Sequence, residues 1–456
     1  MKKNILFITA LLALSNSTLL AQTAVPAVAP TINSGDTAWM IVATAFILLM
    51  TIPGLALFYG GLVRRKNVLN VFMQCFMIVA VISIEWVVCG YSLSFGSSKG
   101  FFAPFIGNFH WAFLNNINLR DLSPYFISHS QIGLDGKAIG TIPHIVFIMF
   151  QGMFAVITPA LIIGAFAERI NFKGFLVFTI LWSIFIYNPV AHWVWSSDGW
   201  LSKLGALDFA GGTVVHVNAG VAAIVTALLL GKRRDYKGHA LPPHNITYVV
   251  MGAGLLWVGW FGFNAGSGLA ADGLAGNALM VTHIAAAAAA LTWALLDWFI
   301  DKRPTVVGIS TGAVAGLVAI TPAAGFVGIP GALVIGVVVS IVCFVMVAYV
   351  KPKLGYDDSL DAFGVHGIGG IIGAILTGVF ASPLIQSAYS GAAYGNLHQL
   401  WVQLLAVGVT ITYSGIGTFI LFKITEKLVG IRATDKHEAI GLDETQHGET
   451  AYNNFD

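Results

Sequence analysis

DFAGGTVVH, residues 208–216, and DSLDAFGVH, residues 358–366, are the two stretches whose reading decides the fold. In each, a histidine follows an aspartate by eight residues, inside a long apolar run of glycine and branched aliphatics. A titratable ring within a membrane span is costly, so its presence there marks a functional site. Two such rings at matched positions, His216 and His366, indicate a duplicated architecture converging on one polar point. Asp208 and Asp358 sit where helix N-caps belong, with carboxylates placed to accept from free backbone amides. Asp208 is also a candidate for attracting positive charge at the mouth of a pathway without touching it.

Working outward, the chain has 456 residues, of which 57 % are hydrophobic and only 10 % charged. A soluble protein would carry about a quarter charged residues, so the fold class is an all-α integral membrane protein. A span needs about 20 mostly apolar residues. Eleven stretches qualify, near 37–61, 68–93, 142–166, 174–194, 210–230, 247–268, 277–299, 305–321, 331–350, 362–382 and 398–424. Arg64, Arg65 and Lys66 follow the first. The same side then collects Arg169 and Lys173, Lys232 to Arg234 with Lys237, Lys302 and Arg303, Lys351 and Lys353, and the basic residues of the tail. Positive loops stay cytoplasmic, which puts the mature N-terminus outside and the C-terminus inside.

Lys2 and Lys3, an apolar run from Ile5 to Leu14 and small residues up to Ala21 form a signal-peptide pattern, too short for a span. The expected organisation is therefore a signal peptide over 1–21, a periplasmic segment over 22–36, an eleven-helix membrane domain over 37–424 and a cytoplasmic tail over 425–456, in an inner membrane. The net charge of +2 is spread over short loops, which gives no nucleic-acid surface. Cys75, Cys89 and Cys343 read as buried small hydrophobes. Without an HExxH motif or carboxylates at ligand spacing, neither a metal, a cofactor nor an enzyme is expected.

Spans one to five and six to ten are equal in number and start from opposite sides, which fits an inverted 5+5 repeat plus one extra C-terminal helix. Eight residues of helix rise about 12 Å. Each histidine would then lie that far inside its own face of a core about 30 Å thick, and the two rings would meet near the centre. Aromatic residues collect on the same route: Phe150 and Phe154 in the third span, Trp195 at the outer end of the fourth, and Trp260, Phe263 and Ser267 on one face of the sixth. Such a stripe is often mere packing, but a serine hydroxyl beside aromatic faces also suits a cation. His144, His192 and His283 read as polar side chains satisfied at helix ends or interfaces.

QGMFAVITPALIIGAFAERINF from Gln151, GALDFAGGTVVHVNAG from Gly205, WFGFNAGSG from Trp260 and DAFGVHGIGGIIG from Asp361 resemble the ammonium transporter family, Amt/Mep, related to the Rhesus proteins. The resemblance covers nearly the whole mature chain and is of the bacterial Amt type. It implies homotrimers with one pore per eleven-span subunit. It also implies an outer ammonium site of Trp195, Phe154 and Ser267, a gate of stacked Phe154 and Phe263, and Trp260 lining the path. His216 and His366 become the twin-histidine pair, and Asp208 supports recruitment and deprotonation. The tail resembles a regulatory segment that docks a PII signalling protein.

The expected chemistry follows from ion solvation. Stripping water from a unit charge in a low-dielectric medium costs on the order of 20 kcal/mol in the idealised limit. Ammonium can lose a proton and potassium cannot, so a dry pore separates two ions of similar size. If the two imidazoles share a hydrogen bond, one donating and one accepting, they offer ammonia polar contacts without a fixed positive charge. Two other readings stay open on sequence alone: a passive Rhesus-like gas channel for ammonia or carbon dioxide, and an ammonium sensor acting through its tail.

Overall fold

The computed structural model describes residues 29–133, 135–236 and 241–452; the expected signal peptide and its cleavage point lie outside them. Ten described helices are long and apolar enough to cross a membrane, from Ser34–Leu62 and Arg65–Phe95 through Leu397–Val429. Val306–Ile320 is a shorter apolar helix, in the place of the expected span 305–321. Boundaries elsewhere differ from expectation by a few residues at most ends and by more where a helix is longer than the roughly 20 residues a span needs. Leu397–Val429, for example, runs 33 residues. The outward surface is apolar, with Ile84, Phe185, Leu291, Phe299, Trp401 and Ile416 all exposed. So large an apolar surface fits lipid and would be a liability in water.

Lipid supplies no hydrophobic drive between helices, so close packing has to hold them together. The alanine run 285–290 of Gly273–Asp301 meets Gly312 and Gly316 of Val306–Ile320 and Gly336 of Ile329–Leu354. A Cβ on Gly316 would lie 2.5 Å from the Ala285 carbonyl oxygen. Three helices are thereby locked at backbone distance.

The same device sets the centre of the molecule. Gly212–Leu230 and Phe363–Phe380 cross where Gly220 touches the Gly367 backbone. In return, a Cβ on Gly370 would lie 2.9 Å from His216 Cβ and the Val217 amide nitrogen. Each of these glycines stands four residues after its own histidine. The contact is reciprocal.

At one end of the bundle, the face expected to be cytoplasmic, buried charges join loops distant in sequence. Glu168 accepts from Arg64 and Arg233, each at 3.0 Å, and Arg233 also grips Asp357 at 2.8 Å. Burial pushes the Glu168 and Asp357 carboxyls up, but the arginines outweigh it and hold both below the usual carboxylate range. A carboxyl depressed in the fold contributes stability at neutral pH that is lost as pH falls through its folded value. We expect Arg233→Ala to take the closest cation from buried Asp357 and leave Glu168 with Arg64 alone, at a cost of about 3–5 kcal/mol. Thermal unfolding in detergent checks this: a Tm equal to that of the parent would contradict it.

The tail is strapped over this face. Asp443 accepts from the amides of Leu69 and Asn70 at 3.1 and 2.8 Å, capping a helix near the other end of the chain. Gln446 bridges Phe172 and Ile170, and Arg432 reaches the carbonyls of Leu230 and Lys232.

Candidate functional site

Asp208 makes the N-cap expected of it, and more fully than one cap requires. Its Oδ1 accepts from the Gly211 and Gly212 amides at 2.8 and 2.6 Å, and its Oδ2 from Thr213 and Val214 at 2.8 and 3.0 Å. Asp358 does the same with Ala362 and Phe363 at 3.1 and 2.7 Å. Four orphan amides at a helix start need such partners. Both helices begin with a wide π-turn that contains the histidine, Gly212–Val217 and Phe363–Gly367. Wide turns of this kind often mark functional sites.

The Asp208 backbone carbonyl also accepts from the Trp195 indole at 2.9 Å, which fixes that ring at the mouth. From Trp195 the aromatic contacts run in an unbroken series. Phe154 meets Trp195 edge-on at 5.5 Å, Phe154 and Phe263 lie 4.3 Å apart, Phe263 is 6.0 Å from His216, and His216 is 5.4 Å from His366. Phe154, Phe263, His216 and His366 are all buried. Trp260 stacks on His216 at 5.4 Å, while its indole donates to Thr321 Oγ1 at 2.8 Å. Thr321 is therefore an orienting residue that sequence reading missed; nothing local ties it to Trp260.

Ser267 ends its helix and donates its hydroxyl to the Phe263 carbonyl at 2.9 Å. With that proton committed, the oxygen keeps its lone pairs for a donor from outside. It faces a vestibule of about 360 Å³ that Phe154, Trp195 and Asp208 also line, together with Tyr125, Phe126 and Ile127 from an outer loop. Phe154, Trp195, Asp208 and Ser267 thus line the vestibule, and Phe263, Trp260, His216 and His366 follow Phe154 inward through ring contacts. Phe150 instead packs beside Phe154 at 5.1 Å and against Gly266, as support.

The condition of a hydrogen bond shared by the two imidazoles is not met: both nitrogens of His216 and Nδ1 of His366 lack a hydrogen-bond partner. The rings lie with planes 16° apart at a spacing set by the glycine crossing, not by an N–H···N bond. Two other histidines behave as expected. His144 pairs with the Tyr91 hydroxyl, and His192 with the carbonyls of Ser94 and Ala103.

Fold and site together define a multi-pass helical membrane protein with an aromatic constriction ahead of a buried imidazole pair. The model of the Ammonium Transporter Family matches residues 38–452, and the chain belongs to that family. It is 48 % identical over 420 residues to an ammonium transporter of Bacillus subtilis, covering 92 % of this chain and 98 % of that one. To an ammonium transporter of Aquifex aeolicus it is 47 % identical, covering 92 % and 94 %. Among solved structures it is similar to Mep2 of Saccharomyces cerevisiae, with 36 % identity, a TM-score of 0.79 and coverage of 89 % and 88 %.

Proposed function

We propose that this chain recruits ammonium at Trp195, Phe154 and Ser267, strips its proton near Asp208, passes ammonia between Phe154 and Phe263 to His216 and His366, and lets the proton cross separately along the histidines, so that net charge enters. The unbroken series of ring contacts from Trp195 to His366 carries this reading. Aromatic faces and a free hydroxyl oxygen compensate a cation partly at the mouth. Beyond it, the side chains of Phe154, Phe263 and Trp260 leave no polar shell for a hydrated ion. The unpartnered imidazole nitrogens are the first polar groups that ammonia meets, and they can donate or accept as the tautomer requires.

Val306–Ile320 counts in this reading as an eleventh, short crossing, and the reciprocal Gly220 and Gly370 contacts support an inverted repeat of two five-helix halves. The subunit would sit as a homotrimer in the inner membrane, N-terminus outside, with residues 425–456 as a cytoplasmic tail open to a PII-type partner. The relatives are named as transporters, which favours uptake over sensing, and the cation-suited mouth favours uptake over a passive gas channel. Uptake of radiolabelled methylammonium into proteoliposomes under an inside-negative potential tests this. We expect saturable accumulation that grows with the potential. Accumulation indifferent to the potential would exclude net charge transfer, and none at all would refute transport.

A further inference from the structure

Gln403 is a polar residue in a helix that is otherwise largely apolar. Its neighbours Trp401 and Leu404 in Leu397–Val429 are exposed, yet Gln403 is only 1 % exposed. A buried amide is costly unless it is hydrogen-bonded, so its partners say what it is for. Its Oε1 accepts from the Leu207 amide at 2.7 Å, and its Nε2 donates to the Leu207 carbonyl at 2.8 Å. One side chain thus pairs with both backbone groups of a residue 196 positions away, as a neighbouring antiparallel strand would.

Its remaining capacity is also used. Nε2 donates to the Ala374 carbonyl at 3.1 Å, in the helix of His366, and Oε1 accepts from Gln399 Nε2 at 3.3 Å. Gln399, one turn earlier, also donates to the Gly205 carbonyl at 3.0 Å. An amide side chain has two donor hydrogens and two acceptor lone pairs, and here all of them are taken. Gly378 lets the two helices come close enough: a Cβ there would lie 2.8 Å from Gln403 Cγ.

What the two glutamines hold is a wall of the outer vestibule, which Gly205, Leu207 and Asp208 all line. These residues belong to no helix or strand, so regular structure does not fix the Leu207 backbone. Asp208 comes next, and its carbonyl is the acceptor that ties down the Trp195 indole. Beyond it, the Phe209 amide donates to the Pro322 carbonyl at 3.2 Å. The acceptor of Trp195 is therefore slung between two anchors, Gln403 before it and Pro322 after it.

We propose that Gln403 is a positioning residue of the recruitment site: from the last membrane helix it sets the Leu207 backbone, through it the Asp208 carbonyl, and so the Trp195 ring. The inference rests on the reading of Trp195, Phe154 and Ser267 as that site. Gln403 acts on capture, not on the passage of what has been captured.

The test is KM and maximal rate for methylammonium in proteoliposomes of the full chain, with Tm in detergent beside them. Gln403→Met keeps the length of the side chain and loses all its bonds. We expect KM to rise about three- to tenfold, the effect of losing one or two net hydrogen bonds, with the maximal rate within about twofold of the parent. Thr418→Val is the control. Thr418 lies about four turns further along the same helix, is buried and accepts from the Trp182 indole at 3.0 Å. Both variants should lower Tm, but only Gln403→Met should raise KM. Added to Trp195→Ala, Gln403→Met should raise KM no further, because the ring it positions is gone. A parent-like KM in Gln403→Met, a rise matched by Thr418→Val, or effects that multiply with Trp195→Ala would each overturn the proposal. Should Gln403→Met fail to fold, Gln399→Met, which removes only the arm to Gly205, carries the test: KM about twofold above the parent is expected, and a parent-like KM refutes it. Ser267→Ala and Trp195→Ala separate the two claims: if neither raises KM, the recruitment site itself is misassigned and the proposal falls with it.

Discussion

Replacing His216 with aspartate should make the pore leak potassium. The ring it removes lies 5.4 Å from Trp260 and 6.0 Å from Phe263, buried among side chains that carry no charge. In the proposed mechanism, what excludes potassium there is the cost of dehydration without compensation. A carboxylate supplies compensation: at 4 Å and an effective dielectric of 20 it attracts a unit cation by about 4 kcal/mol. Each 1.4 kcal/mol is tenfold, so cation occupancy would rise by orders of magnitude, and we expect potassium flux at least about tenfold above the parent. His366→Asp should act alike, since it occupies the matching position in the partner helix. Potassium-loaded proteoliposomes read this directly. Flux equal to that of the parent in both variants would mean that selectivity resides elsewhere. His216→Ala is the control, since it removes the ring without adding charge.

The second large effect concerns a residue that never meets substrate. Gly220→Val should abolish uptake, because any Cβ there lies inside the Gly367 backbone and neither helix has a flexible side chain to yield. Overpacking usually costs about 1–3 kcal/mol, and a clash between two backbones belongs at or above the top of that range. The crossing sets the spacing of His216 and His366, so wedging it open should separate the rings as well as lower Tm. Gly254→Ala is the matched control: a Cβ there meets nothing within 4 Å. Uptake by Gly220→Val equal to that of Gly254→Ala would show that the ring spacing does not depend on this crossing.

The histidine pair was legible because each member carries a local signature, an aspartate eight residues before it in an apolar run. The same locality explains why the capping roles of Asp208 and Asp358 could be read in advance: an N-cap acts on amides three to six residues away. The path aromatics were legible in part. Helical spacing put Trp260, Phe263 and Ser267 on one face, yet it could not say that Trp260 would lean on Thr321. What escaped are the pairs formed between residues far apart in the chain without any shared pattern. Asp443 caps a helix near Leu69, and His129 pairs with Asp36. Each of those residues alone looks like an ordinary loop or tail position. The relative orientation of the two imidazoles escaped for a related reason. Proximity was derived from helix rise, but ring orientation follows from how the backbones cross, and composition does not encode that angle.

The central claim is that charge must leave the permeant before the Phe154–Phe263 constriction. Its most direct test is potassium and ammonium flux through the unmodified protein, measured in the same proteoliposomes under the same inside-negative potential. The account predicts ammonium uptake with potassium flux no greater than in protein-free liposomes. Potassium entering at a rate comparable to ammonium would contradict it.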